Sequence, residues 1–404
     1  MPASPIPVGR GTSGAPGSSG DDACPGALRL HAADDGGLAR IRIPGGLLPR
    51  HRARALGDAA REFGDGVVRI TSRGNAEVRG VDAKRGAEFG AALRAAGLLP
   101  SAAHERVRNI LASPLSGLDD RSPADVREWL LDLDQLLCAS TVTPTLSGKF
   151  LFALDDGRGD VAALAPDILL RATPGGRAVL RLAAEPYELR LAYEDAARAA
   201  VAAAEEFVAA ARDDPGRGWR VAELTLVPGE LTERVARRTG AEVAAAPERP
   251  VARPPKPGPV LDAAGAVRAW SVQAPFGAVT PDAWSALLDS ADGEVRLTPW
   301  RGIVVPGADS EPLARAGFVT APDSPWTRVS ACVGRPGCAK SHADVRAEAA
   351  AHLADMDSYG GLPVYWSGCE RRCGHPTGPY VDVVAQPGGG HTLTVPSVPH
   401  HTES

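Results

Sequence analysis

The chain has 404 residues, 44% of them apolar, and a formal charge of −5, which is enough for two or more domains with real cores. No block of like charge suits a nucleic-acid arm or a polybasic membrane patch, and no run approaches the roughly 20 apolar residues of a membrane span. Neither nucleic acid nor a membrane is therefore expected as a partner. Only four of the 44 basic residues are lysines, namely Lys84, Lys149, Lys256 and Lys340.

Residues 1–23 are rich in Gly, Ser and Pro and lack the apolar core of a signal peptide, so a disordered leader and a cytoplasmic protein are expected. Within that leader, residues 9–14 match G-x-G-x-x-G, but no strand precedes them and no helix follows, so they cannot cradle a pyrophosphate. A segment GLARIRIPGG (37–46) and a helical stretch then lead into DGVVRITSRG (65–74). After a proline-rich stretch at 244–260, GAVRAWSVQAPFG (265–277) and a second helical stretch lead into DGEVRLTPWRG (292–302). Two copies of a β-α-β-β unit are expected.

Between the copies, Ser122, Pro123 and Asp125 read as the start of a helix, with Val126, Trp129, Leu130, Leu133 and Leu137 on its buried face. Strands are expected at 150–156, 177–183 and 187–193, and a helix over the alanine-rich run 194–212. The mixture predicts an α+β architecture.

Six cysteines in a reducing compartment are poorly explained as structural disulfides, so clustered ones point to metal or catalysis. Cys332, Cys338, Cys369 and Cys373 form C-x5-C-x30-C-x3-C, and four thiolates are what a [4Fe–4S] cluster requires. Glycine or proline flanks each pair, which predicts two turns, and a helix over 341–356 would return the chain so that the turns meet. A four-cysteine structural zinc site remains the alternative. Cys24 and Cys138 read as ordinary thiols.

This cysteine pattern resembles the cluster signature of the nitrite and sulfite reductase superfamily, and the duplication fits that family's pseudo-twofold pair of ferredoxin-like half domains. The resemblance implies half domains at 24–100 and 261–322 and reductase-like domains at 101–243 and 323–396. The stretch 244–260 would link them, and 397–404 would be a tail. It also implies that Cys373 bridges the cluster to a sirohaem iron in the reductases' manner. TSRGNAEVRG (71–80) looks like the family's T-x-R-x-N-x-x-x-R-G segment, ERVRNI (105–110) like its R-N segment, and LSGKF (146–150) like its K-F-K element. By that resemblance Arg73, Asn75, Arg79, Arg108, Asn109 and Lys149 line the cofactor or substrate cavity.

The second lysine of K-F-K is Leu151 here, a departure that speaks against sulfite reduction. CPGALRLHAADDGGLARIRIPGG near the start and SGCERRCGHP near the end instead resemble the precorrin-3B synthase family, the aerobic cobalamin-pathway branch of the superfamily. That resemblance implies a monooxygenase that hydroxylates precorrin-3A at C20 with O2 while a ring A acetate closes to a lactone. It further implies a [4Fe–4S] cluster and either an additional non-haem iron or sirohaem. Electrons derived from NAD(P)H would come through a separate ferredoxin or reductase. His375, beside Cys373, is the first candidate ligand for a second iron, ahead of His104, His342 and His51. Arginine forks pair bidentately with carboxylates, so Arg73, Arg79 and Arg108 are expected to clamp the substrate's carboxylates, with Lys149 as a further point charge. A sirohaem-dependent nitrite or sulfite reductase and a non-enzymatic tetrapyrrole carrier are the competing readings.

Overall fold

The structure is a computed structural model that describes residues 24–216, 218–247, 254–307, 309–376 and 378–395. The leader with its glycine motif, the centre of the proline-rich stretch and the tail from 396 lie outside the described residues. The chain divides into two compact units: residues 24–31 with 37–320, and residues 32–36 with 321–395.

The first copy runs β1 (His31–Ala33), β2 (Gly36–Ile41), β3 (Leu47–Pro49), α1 (Arg50–Phe63), β4 (Val68–Ile70), β5 (Ala76–Val81) and α2 (Gly86–Ala95), all in the larger unit except residues 32–36. Then comes a middle segment of β6 (Ile110–Ala112), α3 (Arg127–Ala139), β7 (Phe152–Asp155), β8 (Ile168–Thr173), β9 (Arg177–Leu182), β10 (Tyr187–Ala192), α4 (Ala196–Asp213), α5 (Glu230–Thr239) and β11 (Glu242–Ala245). The second copy follows as β12 (Gly258–Leu261), β13 (Val267–Gln273), β14 (Ala278–Val279), α6 (Pro281–Ser290), β15 (Glu294–Leu297), β16 (Gly302–Pro306) and α7 (Ser310–Arg315). The order of elements repeats, and the fold is α+β.

The two copies exchange a strand. One sheet has the order β1-β2-β5-β4-β14 and the other β12-β13-β16-β15-β3. Thus β3 leaves its own copy to pair Leu48 with Val295, while β14 pairs Val279 with Val68. Alternation in LARIRI sends Ala39 and Ile41 into one continuous core that also holds Leu56, Phe63, Trp284, Leu287, Val295 and Ile303. Helix α6 starts where Thr280 accepts from the Ala283 amide, with Pro281 in its first turn. Gly57 lets α1 meet α6, because a Cβ there would lie 2.6 Å from the Trp284 ring, whose Nε1–H donates to the Ala53 carbonyl at 2.9 Å.

The middle segment forms a six-stranded sheet, β11-β10-β9-β8-β7-β6, with its apolar side chains packed with those of α3, α4 and α5. Helix α3 begins at Arg127 rather than at Pro123, because the Ser122 hydroxyl donates to Asp156 at 2.7 Å and so fixes the preceding residues in a loop. Its buried face is still Trp129, Leu130, Leu133 and Leu137.

The loop from 113 to 122 is anchored by buried acids. Arg158 is held by both Asp119 and Asp156, and Ser113 donates to Asp160 at 2.6 Å. Burial first, and then the neighbouring Asp155 charge, push the Asp160 carboxyl up to about 7. The anchored loop lays Leu115 and Leu118 against Val260, Ala269 and Val304, and Arg296 donates to the carbonyls of Pro114 and Ser116 at 2.9 and 2.7 Å.

In the smaller unit, β17 (Val329–Ala331), β18 (Val364–Ser367), β19 (Val381–Ala385) and β20 (His391–Thr394) make a sheet in that order, with α8 (Val345–Ala351) after β17. The expected helix over 341–356 is shorter, since Asp344 caps α8 and its last turns tighten into a 3-10 segment, Leu353–Tyr359. Among the described residues no helix is long and apolar enough to cross a membrane.

Candidate cluster-binding hairpins and arginine site

Strands β17 and β18 are parallel neighbours, with Val329 opposite Val364 and Ala331 opposite Trp366. Parallel pairing places their C-terminal ends side by side, and each end carries a cysteine: Cys332 follows β17 directly, and Cys369 follows β18 after Gly368. The ladder continues through Cys332, whose amide donates to the Trp366 carbonyl at 3.0 Å. The Gly368 amide then donates to the Cys332 Sγ at 3.2 Å, and the His342 amide donates to the Gly368 carbonyl at 2.8 Å. The two cysteine turns are therefore hydrogen-bonded to each other.

Each turn is held from within. Arg335 Nε–H donates to the Ser341 carbonyl at 2.7 Å, which closes the turn that carries Cys338. In the second, the Arg372 amide donates to the Cys369 carbonyl at 3.2 Å, and the Tyr365 hydroxyl donates to the Cys373 carbonyl. Gly368 has no room for a side chain, since a Cβ there would lie 1.9 Å from Ser341 Oγ.

All four thiols share one electrostatic neighbourhood. Burial pushes the Cys373 thiol up, Cys369 and Cys332 push it further, Arg371 opposes them, and Cys338 adds the smallest upward effect. Crowded thiolates of this kind are relieved by a cationic inorganic group. Among the described residues no three His, Cys, Asp or Glu side chains close on a single ion position. The Gly368 amide aimed at Cys332 Sγ is an arrangement a metal–thiolate site can use, because hydrogen bonds to the sulfur tune the group it binds. His375 is exposed, stacks on Tyr380 with ring centroids 5.9 Å apart, and shares a hydrogen bond through Nδ1 with the Pro376 carbonyl. His342 is also exposed.

In the larger unit the structure gathers several of the expected cavity residues about the carbonyl of Gly148. Arg73 Nη1–H donates to it at 3.0 Å and the Asn109 amide at 2.5 Å, while Asn75 donates to Asn109 Oδ1 at 3.1 Å and accepts from the Ile43 amide at 2.9 Å. The two asparagines, both about 1% exposed, spend their amides on backbone and on each other. Next to them Lys149 is exposed and sets Nζ 4.1 Å from the centroid of Trp219.

Two arginines differ from expectation. Arg108 closes its fork on Asp134, at 2.6 and 2.7 Å, instead of offering it to a ligand. Arg79 is buried, with Nη1 3.8 Å from Glu77 Oε1. His104 has both ring nitrogens engaged, by Ser101 Oγ and the Ser140 carbonyl, and His51 is an exposed residue of α1.

Three arginines not singled out in the sequence stand beside Arg73. Arg42 is 4% exposed, donates through Nε to the Arg106 carbonyl at 3.1 Å, and has its Nη1 buried without a partner. Burial first, then Arg40 and Arg73, push its guanidinium down to about 9. Arg73 is pushed down to about 10 by burial and then by Arg220. Arg220 itself is placed by Asp167, which accepts its Nε–H at 2.6 Å and the Leu151 amide at 2.8 Å. Leu151 is fully buried. Cations crowded in this way make an anion site, since a bound carboxylate removes the repulsion between them. Arg40 of β2 and Arg42 just beyond its end could have been found from the R-I-R alternation, which sends both away from the side of Ile41.

Residues 31–96 match the nitrite/sulfite reductase ferredoxin-like half domain. The fold resembles that of the Mycobacterium tuberculosis NirA protein, with a TM-score of 0.69 at 18% identity over 88% of this chain and 73% of that one. The chain thus carries a half domain of the nitrite/sulfite reductase type and a NirA-like fold. It is 28% identical to precorrin-3B synthase of Sinorhizobium sp over 401 residues, which is 94% of this chain and 84% of the relative. The ferredoxin–nitrite reductase of Synechococcus elongatus is 34% identical, but over 30% of this chain and 25% of its own length.

Proposed function

We propose that this protein is an oxidoreductase of cobalamin biosynthesis that acts as a precorrin-3B synthase, hydroxylating precorrin-3A at C20 with O2 while a ring A acetate closes to a lactone. The observation that carries the reading is the similarity to a precorrin-3B synthase, 28% identity over 94% of this chain and 84% of the relative, against 23% over 83% and 64% for the ferredoxin–nitrite reductase of Spinacia oleracea. Leu151, apolar and buried where the reductases have a lysine, supports the same choice.

Cys332, Cys338, Cys369 and Cys373 would hold a [4Fe–4S] cluster, which supplies single electrons when bound. One oxygen atom enters the product and the other leaves as water, so the reaction consumes two electrons and two protons, drawn from NAD(P)H through a separate ferredoxin or reductase. An additional iron, non-haem or sirohaem, completes the O2 chemistry, with His375 as the first ligand to test. Arg73, with Arg42 and Arg220, takes the substrate's carboxylates, and Lys149 adds a point charge. Asn75 and Asn109 hold the backbone on which Arg73 rests, while Arg79 and Arg108 support the wall behind it.

The test is turnover by protein purified and reconstituted without oxygen, then given precorrin-3A, O2 and a reductant. A product heavier by one oxygen atom supports the assignment. Unchanged precorrin-3A, together with reductant-driven consumption of nitrite or sulfite, overturns it.

A further inference from the structure

The turn between Cys369 and Cys373 contains a conformational anomaly. Arg372 sits at φ 48°, the left-handed region that only glycine enters without cost. Glycines are frequent in this chain and the neighbouring Gly374 uses the same region at φ 84°, so an arginine at 372 needs a compensating restraint.

That restraint comes from two adjacent strands. Tyr365 of β18 and Asp382 of β19 are directly paired, so their side chains leave the same face of the sheet. Tyr365 donates its hydroxyl proton to the Cys373 carbonyl. Asp382 accepts Arg372 Nε–H on Oδ2 at 2.6 Å, and its Oδ1 is buried without a partner. Arg372 also donates through Nη1 to the carbonyl and carboxylate of Glu370, at 3.0 and 2.6 Å. The turn is thus fastened at Cys373 and at Arg372, one fastening from each strand.

We infer that Tyr365 and Asp382 are positioning residues that dock the Cys369–Cys373 turn in its ligating shape before any cluster arrives, with Arg372 as the part of the turn that Asp382 grips. The inference rests on the proposed four-cysteine cluster for its purpose, but the dock itself is a property of the polypeptide. Its consequence is that the second pair of thiolates is ordered in advance, which removes an ordering cost from cluster binding.

The experiment compares the full chain with Asp382→Asn, Tyr365→Phe, Arg372→Gly and the double variant Asp382→Asn/Arg372→Gly. In the metal-free proteins, hydrogen exchange is followed at the amides of Arg372 and His375, which donate within this turn. Asp382→Asn and Tyr365→Phe are each expected to speed exchange there about tenfold while leaving the amides of β6 to β10 unchanged. The double variant is expected to recover to within about threefold of the parent, because glycine at 372 has no unfavourable backbone to restrain.

After anaerobic reconstitution with iron and sulfide, cluster loss to a chelator is followed from the visible absorbance, and the variants are expected to rank in the same order. Exchange that is unchanged in Asp382→Asn, or a double variant no better than Asp382→Asn, overturns the dock. A parent chain that shows the exchange pattern but takes up no iron or sulfide leaves the dock standing and overturns the cluster reading instead.

Discussion

Gly368 and Cys332 meet at the ends of two parallel strands, the amide of one 3.2 Å from the sulfur of the other. The contact depends on a bare Cα, since a Cβ at 368 would lie 1.9 Å from Ser341 Oγ. Gly368→Ala is expected to force the two cysteine turns apart. Iron and acid-labile sulfide per chain should fall several-fold after reconstitution, with the far-ultraviolet circular dichroism of the rest of the protein retained. Parental iron and sulfide content in the variant would show that this amide does not matter for loading.

Arg108 and Asp134 form a bidentate pair that is 4% and 25% exposed. Removing one member of such a pair strands the other, at about 3–5 kcal/mol. Asp134→Ala is expected to lower the denaturation midpoint by that order, and Arg108→Ala likewise. Variants as stable as the parent would return Arg108 to the list of ligand-binding residues.

Arg42 has the opposite character, because its unpartnered Nη1 and its cationic neighbours are costs in the ligand-free chain. Arg42→Gln is expected to weaken binding of a tetrapyrrole polycarboxylate, read by fluorescence quenching with uroporphyrin, by about tenfold. Thermal stability should change little, and raising the salt concentration should narrow the difference between variant and parent. Equal affinity in the two proteins would remove Arg42 from the anion site.

Asp160 holds its proton up to about pH 7 in the folded chain, whereas an unfolded aspartic acid releases it near pH 4. The folded state therefore binds more protons between these values, and this group's contribution to stability is lost as pH rises through that window. Asp160→Asn should melt close to the parent at pH 4, gain on it steadily up to pH 7, and keep a constant lead above that. A difference independent of pH would mean that the carboxyl is ionised throughout.

Gly57 and Trp284 lock the helices of the two copies together, the indole 2.6 Å from where a Cβ would be. Gly57→Ala overpacks that contact, which typically costs 1–3 kcal/mol, and the melting temperature should fall accordingly. An unaltered melting temperature would show that the indole can move aside.

What the sequence revealed follows from the range over which each signal acts. The two β-α-β-β copies and the buried face of α3 were legible because alternation and helical spacing are local. The exchange of β3 and β14 was not, since these strands have three and two residues and their partners lie more than 200 residues away. Spacing and flanking glycines singled out the cysteine pairs, but their meeting depends on parallel pairing of the short strands β17 and β18. Motif context drew attention to Arg108 without any sign that Asp134 would occupy its fork. It passed over Arg220, whose position is set by Asp167, a buried acid 53 residues earlier.

The swapped edge strands carry an implication for how such a molecule could arise. Each copy lends a strand and receives one, so neither closes its sheet unaided, and a single copy would expose a hydrogen-bonding edge that invites a twin. Two identical short chains could have satisfied that need symmetrically. Joining them end to end would free each half to diverge, and in this chain one half carries Arg40 and Arg42 where the other has Ser271 and Gln273.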